Sequence, residues 1–142
     1  MELDELAETF EMLGDWEERY RYLIELGRKL PPLSEADHSE ANKVRGCMSQ
    51  VWMTAQTEPG PPLRLRFAGD SDAHIVKGLI AVLFMLYSGH TPQQILATDV
   101  GEAFGRLGLD NHLSMNRRNG FYSMVERIKG MAAQAVGETS SA

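Results

Sequence analysis

Apolar residues recur with helical spacing at both ends of the chain. Positions 3, 6, 10 and 13 predict a first helix over Leu3 to Leu13, which Gly14 ends. A second helix is predicted to begin after Asp15, a good N-cap residue with Glu18 in the third helical position, and to end before Pro31. A last helix is predicted from Asn116 to Val136. Its apolar face would comprise Phe121, Met124, Val125, Ile128, Met131 and Ala132.

The middle of the chain alternates between apolar and polar residues, which is typical of strands. Val51, Met53 and Ala55 alternate with polar neighbours, and the strictly alternating run 63–67 follows a Pro- and Gly-rich turn at 58–62. Residues 33–42 are polar and acidic and predict a loop that leads to a further strand through Val44. These segments predict a three-stranded antiparallel meander.

Residues 73–88 are apolar nearly all round, which predicts a buried central helix capped by the run 70–72. Thr91 and Pro92 begin a short helix through Ile95 with a capping box, and a second short helix is predicted over 103–107. The predicted fold class is α+β, a three-stranded sheet packed against several helices. We expect one domain over residues 1–137 and a frayed tail over 138–142.

The chain has 142 residues, of which 43% are hydrophobic, enough for one core. No stretch approaches the roughly 18 apolar residues of a membrane span, and the amino terminus is acidic where a signal peptide would be basic and then apolar. These features predict a cytoplasmic protein without a membrane partner.

Charge is distributed unevenly along the chain. The formal net charge is −6, but residues 1–40 alone carry −8, while residues 41–66 carry +3. An acidic half of this kind argues against nucleic acid as a partner. The basic segment surrounds Cys47.

Cys47 is the single cysteine of the chain. One thiol forms no internal disulfide and cannot supply the several thiolates of a zinc or iron–sulfur site, so we expect no metal and no bound cofactor. Gly46 permits a tight turn, and the polar pair Ser49-Gln50 precedes the strand, which predicts that Cys47 lies exposed at a hairpin tip.

The neighbours of Cys47 in sequence are basic. Lys43 and Arg45 lie within four residues of it, and no acid occurs between Glu40 and Glu58. This local charge favours a nucleophilic thiolate over the thiol. The alternative is that a lone cysteine serves as a small core residue.

The sequence around the cysteine also resembles that of a known family. Residues 46–52, Gly-Cys-Met-Ser-Gln-Val-Trp, are similar to the active loop of the SufE family, whose pattern is Gly-Cys-any-Ser-Gln-Val-Trp. Further matching segments follow the family's order over nearly the whole chain. They are Trp16-Glu17-Glu18-Arg19-Tyr20, Ile24-Glu25-Leu26-Gly27, Gly69-Asp70-Ser71-Asp72-Ala73, Ile75-Val76-Lys77-Gly78-Leu79-Ile80, Thr91-Pro92-Gln93, and Leu113-Ser114 before Arg117 and Gly120.

The resemblance implies a SufE/IscU-like architecture and an accessory sulfur carrier that is not itself an enzyme. Cys47 would accept persulfide sulfur from a pyridoxal-phosphate cysteine desulfurase of the SufS type, stimulate that enzyme, and pass sulfur to an iron–sulfur scaffold of the SufB type. The residues expected to shape or dock the loop are Lys43, Arg45, Gly46, Met48, Ser49, Gln50, Asp72 and Arg117.

Arg117 and Arg118 fall in the first turn of the last predicted helix, where cations are disfavoured. They are either an exposed pair tolerated at small cost, an anchor for the preceding loop, or a contact to an acidic partner or an anionic sulfur. Trp16 and Tyr20 similarly suit either the core or a binding platform. These alternatives stay open.

The sequence departs from the family pattern at Met48, where glutamine is frequent, and at Met115-Asn116, where proline and serine are frequent. The choice of partner is therefore open, including a CsdE-like carrier that serves a second desulfurase. A different class is a thiol enzyme that pairs Cys47 with a histidine as base. The candidate bases are His38, His74, His90 and His112. A third reading is a binding module whose cysteine only packs.

Overall fold

The structure is a computed structural model that describes residues 3–140, and within that range it holds six α-helices and two β-strands. The elements in chain order are α1 (Leu3–Leu13), α2 (Trp16–Arg28), β1 (Val51–Glu58), β2 (Arg64–Ser71), α3 (His74–Tyr87), α4 (Pro92–Ala97), α5 (Val100–Arg106) and α6 (Met115–Ser140). The predicted α+β class is confirmed. None of the helices in this range is long and apolar enough to span a bilayer.

The sheet has two strands, so the predicted three-stranded meander is wrong. β1 and β2 pair antiparallel, with Val51 opposite Ser71. The segment through Val44 contributes only a bridge between Lys43 and Trp52 and a hydrogen bond from the Val44 N–H to the Val51 carbonyl (2.8 Å). It stays short because residues 40–42 wind into a 3-10 turn and the chain turns again at residues 45 and 46.

Helix α3 is the centre of the core, as its apolar sequence predicted. It packs against α2, β2 and α6, and its residues from Leu79 to Leu83 are all buried. The contact with α2 is close because glycines face it: a Cβ on Gly78 would lie 2.3 Å from the Leu23 carbonyl oxygen, and one on Gly27 would lie 2.6 Å from the Gly78 nitrogen. This glycine pair sets the spacing of the two helices.

Several predicted helix ends are confirmed. The Asp15 side chain accepts from the Glu18 N–H (2.8 Å), and Thr91 forms the predicted capping box with Gln94. Helix α6 continues to Ser140, beyond its predicted end. Residues 141 and 142, the end of the predicted frayed tail, lie outside the described residues.

The predicted cap of α3 is wrong. Asp70 and Ser71 belong to β2, and the N-cap residue is Ala73, which makes no side-chain cap. The two acids of this segment instead hold two segments that precede β1: Asp70 bonds to His38, and Asp72 accepts from the Gln50 N–H.

Candidate functional site

Cys47 lies in the loop 45–50, against the start of α6. Its half-buried side chain opens onto a cavity of about 270 Å³ between this loop, α3 and α6, and its Sγ donates to the Gly120 carbonyl (3.5 Å). The lining residues are Cys47, Met48, Ser49, Val51, Val76, Leu79, Ser114, Asn116, Arg117, Gly120, Phe121 and Met124. The prediction of a fully displayed tip is therefore wrong, because the loop folds back onto α6.

Gly46 allows this close approach, whereas Gly120 is not required for it. Gly46 has a φ of +89°, in the left-handed region, and a Cβ there would meet Ser123 Oγ at 2.5 Å. A Cβ on Gly120 would lie 3.6 Å from Cys47 Sγ, an ordinary contact. The turn predicted at Gly46 is thus confirmed, and it presses the loop onto α6.

The loop is anchored where it enters β1. The Gln50 N–H donates to Asp72 Oδ1 (3.0 Å), and the Asp72 N–H donates to the Gln50 carbonyl (3.2 Å). At the other end of the loop, Val44 pairs with Val51 through the backbone. Cys47 consequently lies on a short segment that is held at both ends.

A cluster of polar groups joins the segment 34–38 to the sheet. His38 Nε2 lies 2.7 Å from Asp70 Oδ2, its Nδ1 lies 2.8 Å from the Ser34 carbonyl, and its ring packs edge-on against Trp52. Lys77 Nζ lies 3.4 Å from Asp70 Oδ1. The hydrogen bond to Asp70 raises the pKa of His38. Partial burial works against ionisation of Asp70, but its bonds with His38, the Ser71 N–H and Lys77 lower its pKa overall.

The prediction that nearby basic residues activate the Cys47 thiol is wrong for the resting protein. Arg45 lies 3.2 Å and Lys43 3.9 Å from carboxylate oxygens of Glu40, which the 3-10 turn brings back over both bases. Burial raises the pKa of the Cys47 thiol above its ordinary value. The Gly120 carbonyl can accept only from the protonated form, so this contact also favours the thiol over the thiolate.

The paired arginines at the start of α6 have different surroundings. Arg118 Nη2 donates to the Asp110 carbonyl and so anchors the preceding loop. Arg117 lines the Cys47 cavity and also an adjoining one of about 300 Å³ that includes Tyr20, His112 and Ser114. Within the described part of the chain, no hydrogen bond or ion pair engages the exposed Arg117 guanidinium.

Trp16 and Tyr20 support the loop that precedes α6, through contacts with His112. Trp16 stacks on the His112 ring with centroids 3.9 Å apart, and the Tyr20 hydroxyl donates to the His112 carbonyl. Both aromatic side chains are partly buried and pack against the core. Their contacts favour the packing interpretation over a free binding platform.

None of the four histidines lines the Cys47 cavity. His38 is bonded to Asp70, His112 is stacked on Trp16, His90 bridges to β2 through its carbonyl, and His74 is exposed at the start of α3. The structure therefore places no imidazole beside the thiol.

Two large apolar side chains are exposed near the cavity. Met48, which lines it, is 82% exposed, and Met115, next to the lining residue Asn116, is 76% exposed. Both are positions where the sequence departs from the family pattern. Exposed methionines are adaptable contact residues for another protein.

The structure brings together four of the predicted site residues, Cys47, Met48, Ser49 and Arg117, around one cavity. Gly46, Gln50 and Asp72 shape the loop, whereas Lys43 and Arg45 pair with Glu40 instead. Sequence reasoning missed the other residues that complete the cavity, which are Val76, Leu79, Asn116, Phe121 and Met124 of α3 and α6, and Ser114 just before α6. The apolar ones were visible only through their periodicity, which marks core and cavity walls alike.

Comparison with known proteins gives a consistent picture. The SufE family, described as an Fe-S metabolism associated domain, matches residues 4–132. An uncharacterised SufE-like protein of Rhizobium etli is 49% identical over 129 residues, covering 89% of this chain and 86% of that protein. A SufE-like protein of Rhizobium meliloti, also uncharacterised, is 46% identical over 132 residues, covering 92% and 94%.

A solved structure shares the fold. The solution structure of a hypothetical protein from Thermus thermophilus matches with a TM-score of 0.73 over 96% of this chain and 99% of that chain. The sequence identity is 23%, so this likeness concerns the arrangement of helices and strands alone.

Proposed function

Because the chain belongs to the SufE family, and so to proteins of iron–sulfur metabolism, we propose that it is a sulfur carrier whose Cys47 accepts a persulfide sulfur from a cysteine desulfurase. The observation that carries this proposal is a lone thiol on a doubly anchored glycine-turn loop beside a cavity. The same chemistry suits delivery to an iron–sulfur scaffold protein.

The transfer is a thiol–persulfide exchange that needs no oxidant. The Cys47 thiolate attacks the terminal sulfur of the partner's persulfide, a new S–S bond forms on Cys47, and the partner's S–S bond breaks to release its thiolate. Removal of that sulfur frees the desulfurase for its next turnover, which is how the carrier would stimulate it.

The raised pKa of Cys47 suits a carrier that is inactive until it docks. While the loop lies on α6, burial and the Gly120 carbonyl favour the thiol. When the loop leaves the cavity, that desolvation is lost and the pKa returns towards its ordinary value. A loaded persulfide that returns to the cavity would be shielded from water and oxidants.

The surface around the cavity suits a protein partner. Met48 and Met115 offer exposed apolar contacts, and Arg117 offers a guanidinium with no partner among residues 3–140. We propose a SufS-like desulfurase as sulfur donor and a SufB-like scaffold as acceptor. A CsdE-like carrier role differs only in which desulfurase docks.

A stand-alone thiol enzyme is the alternative class of function for Cys47. Such an enzyme needs a base within hydrogen-bond reach of its nucleophile. No histidine lines the Cys47 cavity, and the Cys47 Sγ donates a hydrogen bond to the Gly120 carbonyl. These observations favour the carrier.

The test is intact-mass spectrometry after incubation with a SufS-type desulfurase and cysteine. The wild type should gain one sulfur atom, about 32 Da, that a thiol reductant removes, and Cys47→Ser should gain none. No gain with any of a panel of desulfurases would contradict the proposal.

The docking surface has a separate test in the kinetics of the stimulated desulfurase. Met48→Ser removes apolar contact but leaves the thiol and both loop anchors in place. We expect a several-fold higher KM for the carrier with kcat unchanged, and Met12→Ser, at a residue 86% exposed on α1, as the unaffected control. Equal KM values for the two variants would show that Met48 does not contact the desulfurase.

A further inference from the structure

A second cavity lies along β1, away from the Cys47 loop. Its volume is about 340 Å³, and β1 and α6 form most of its wall. The lining residues are Asn42, Met53, Thr54, Ala55, Thr57, Leu65, Arg127, Met131, Gln134 and Ala135. This cavity shares no lining residue with the Cys47 cavity, so the two sites are distinct.

The outer edge of β1 is open beside this cavity. Val51 directs its carbonyl to this edge, where it accepts from Val44, and alternate residues of an antiparallel strand face the same edge. Ala55 and Thr57 therefore direct their N–H and C=O groups outward as well. Within residues 3–140, no strand pairs with them on that side.

The β1 strand itself lacks the residues that usually block an open edge over positions 53–57. Proteins protect open edges with charged residues, prolines or a covering element. The run 53–57 is Met-Thr-Ala-Gln-Thr, without charge or proline, and its last three residues are exposed. The edge therefore offers four backbone groups to an incoming extended chain.

The cavity also contains one unsatisfied donor. Arg127 is its only charged lining residue, and its Nη2 donates to the Ala41 carbonyl (2.8 Å). Its Nε–H is buried and has no partner in the described part of the chain. The Arg127 side chain as a whole is only partly buried, so its positive charge beside the open edge favours an acidic side chain in an incoming segment.

We propose that this surface, the β1 edge with Arg127, binds an extended peptide segment of a protein partner. The segment adds as a strand to β1 through Ala55 and Thr57, and an Asp or Glu side chain of the segment bonds to Arg127. Because the two cavities share no lining residue, a second partner binds here while the thiol loop is engaged. The inference is independent of the proposed sulfur transfer.

The test begins with a displayed library of random eight-residue peptides, panned on the full-length protein and counter-selected on the Thr57→Pro variant. Proline removes one outward N–H and is tolerated at a strand edge that faces solvent. Thr57→Val is the matched control, since it keeps that N–H. Selected peptides should be enriched in Asp and Glu.

Synthetic versions are then titrated while amide signals are followed by NMR. We expect shifts at residues 55–58 and 127, at least tenfold weaker binding to Thr57→Pro, and binding to Thr57→Val within twofold of wild type. Arg127→Gln should weaken binding at least fivefold, and only for peptides that retain their acid. Ala55→Pro replaces Thr57→Pro if circular dichroism shows the latter to be unfolded.

Absence of acidic enrichment, or equal binding to wild type and the folded proline variant, would overturn the inference. Sulfur acceptance by Cys47, measured by intact mass in the same variants, should be unchanged. Failure of the edge site is thereby distinguished from failure of the proposed function.

Discussion

At the scale of single residues, the thiol is controlled by desolvation rather than by charge. The bases nearest in sequence, Lys43 and Arg45, are paired with Glu40, while Cys47 is half-buried against Gly120. Burial disfavours the anion and raises the pKa of Cys47. We therefore expect alkylation and oxidation of Cys47 to be slow while the loop lies on α6.

We expect the rate of alkylation of Cys47 by iodoacetamide to rise with pH through a midpoint above that of the same protein unfolded in urea. The thiolate is the reacting form, and folding disfavours it. Alkylation that is quenched at set times and measured by mass spectrometry between about pH 6 and 10 gives both midpoints. The midpoint of the unfolded protein should be near the ordinary thiol pKa of about 8.5. A folded midpoint at or below the unfolded one would show that desolvation does not control this thiol.

At the scale of elements, the loop depends on an anchor from the start of α3. Asp72 accepts from the Gln50 N–H, and the reciprocal backbone bond remains if the carboxylate is removed. Loss of one exposed hydrogen bond changes the free energy of unfolding little but shifts the balance between seated and released loop.

Asp72→Ala should speed alkylation of Cys47 several-fold, with a loss of about 0.5–1.5 kcal/mol in the free energy of unfolding. Asp72→Asn is the control, because its amide oxygen still accepts from Gln50, and it should react at nearly the wild-type rate. Both rates are measured at one pH with iodoacetamide. Equal rates for Ala and Asn variants would show that the side-chain bond does not hold the loop.

The other element-scale constraint is the contact between α2 and α3, which fixes the helix that walls the cavity. A Cβ on Gly78 would lie 2.3 Å from the Leu23 carbonyl oxygen, a backbone atom that cannot swing aside. The helices would have to separate.

Gly78→Ala should cost about 1–3 kcal/mol in the free energy of unfolding, measured with urea, because it overpacks this contact. Gly130→Ala is the matched control, since a Cβ there meets nothing within 4 Å and alanine is the better helix former. We expect it to stabilise the protein by about 0.5–1 kcal/mol. A destabilising Gly130→Ala of similar size would show that the loss is not specific to the helix contact.

At the scale of the whole molecule, the cluster of His38, Asp70 and Lys77 ties the segment before the loop to the sheet and to α3. The pKa of His38 is raised, so its contribution to stability is present below its unfolded pKa and is lost as pH rises through the folded one. The pKa of Asp70 is lowered, so its contribution is lost as pH falls through its folded pKa. The pair stabilises most between these limits.

His38→Gln should therefore destabilise the protein more at about pH 5.5 than at about pH 8.5, because only the protonated imidazole pairs with ionised Asp70. Urea unfolding of both proteins at the two pH values measures the difference. A destabilisation that is equal at both values would show that His38 acts by packing on Trp52 alone.

The sequence alone determined the features that depend on local pattern. Helical periodicity predicted α1, the start of α2, the buried α3 and the long α6, and capping chemistry predicted the roles of Asp15 and Thr91, because these rest on contacts a few residues apart. The motif around Cys47 identified the family for the same reason: its signal lies in consecutive residues.

Only the tertiary structure decided the state of the site. The return of Glu40 over Lys43 and Arg45, the seating of Cys47 on Gly120 and the use of Asp72 as a loop anchor join residues from separate elements. The prediction of a third strand was wrong for a related reason. A short extended segment becomes a strand only if the chain on either side of it leaves room for pairing. Burial, which sets the pKa of the thiol, is a property of the packed chain, and linear charge pattern could not predict it.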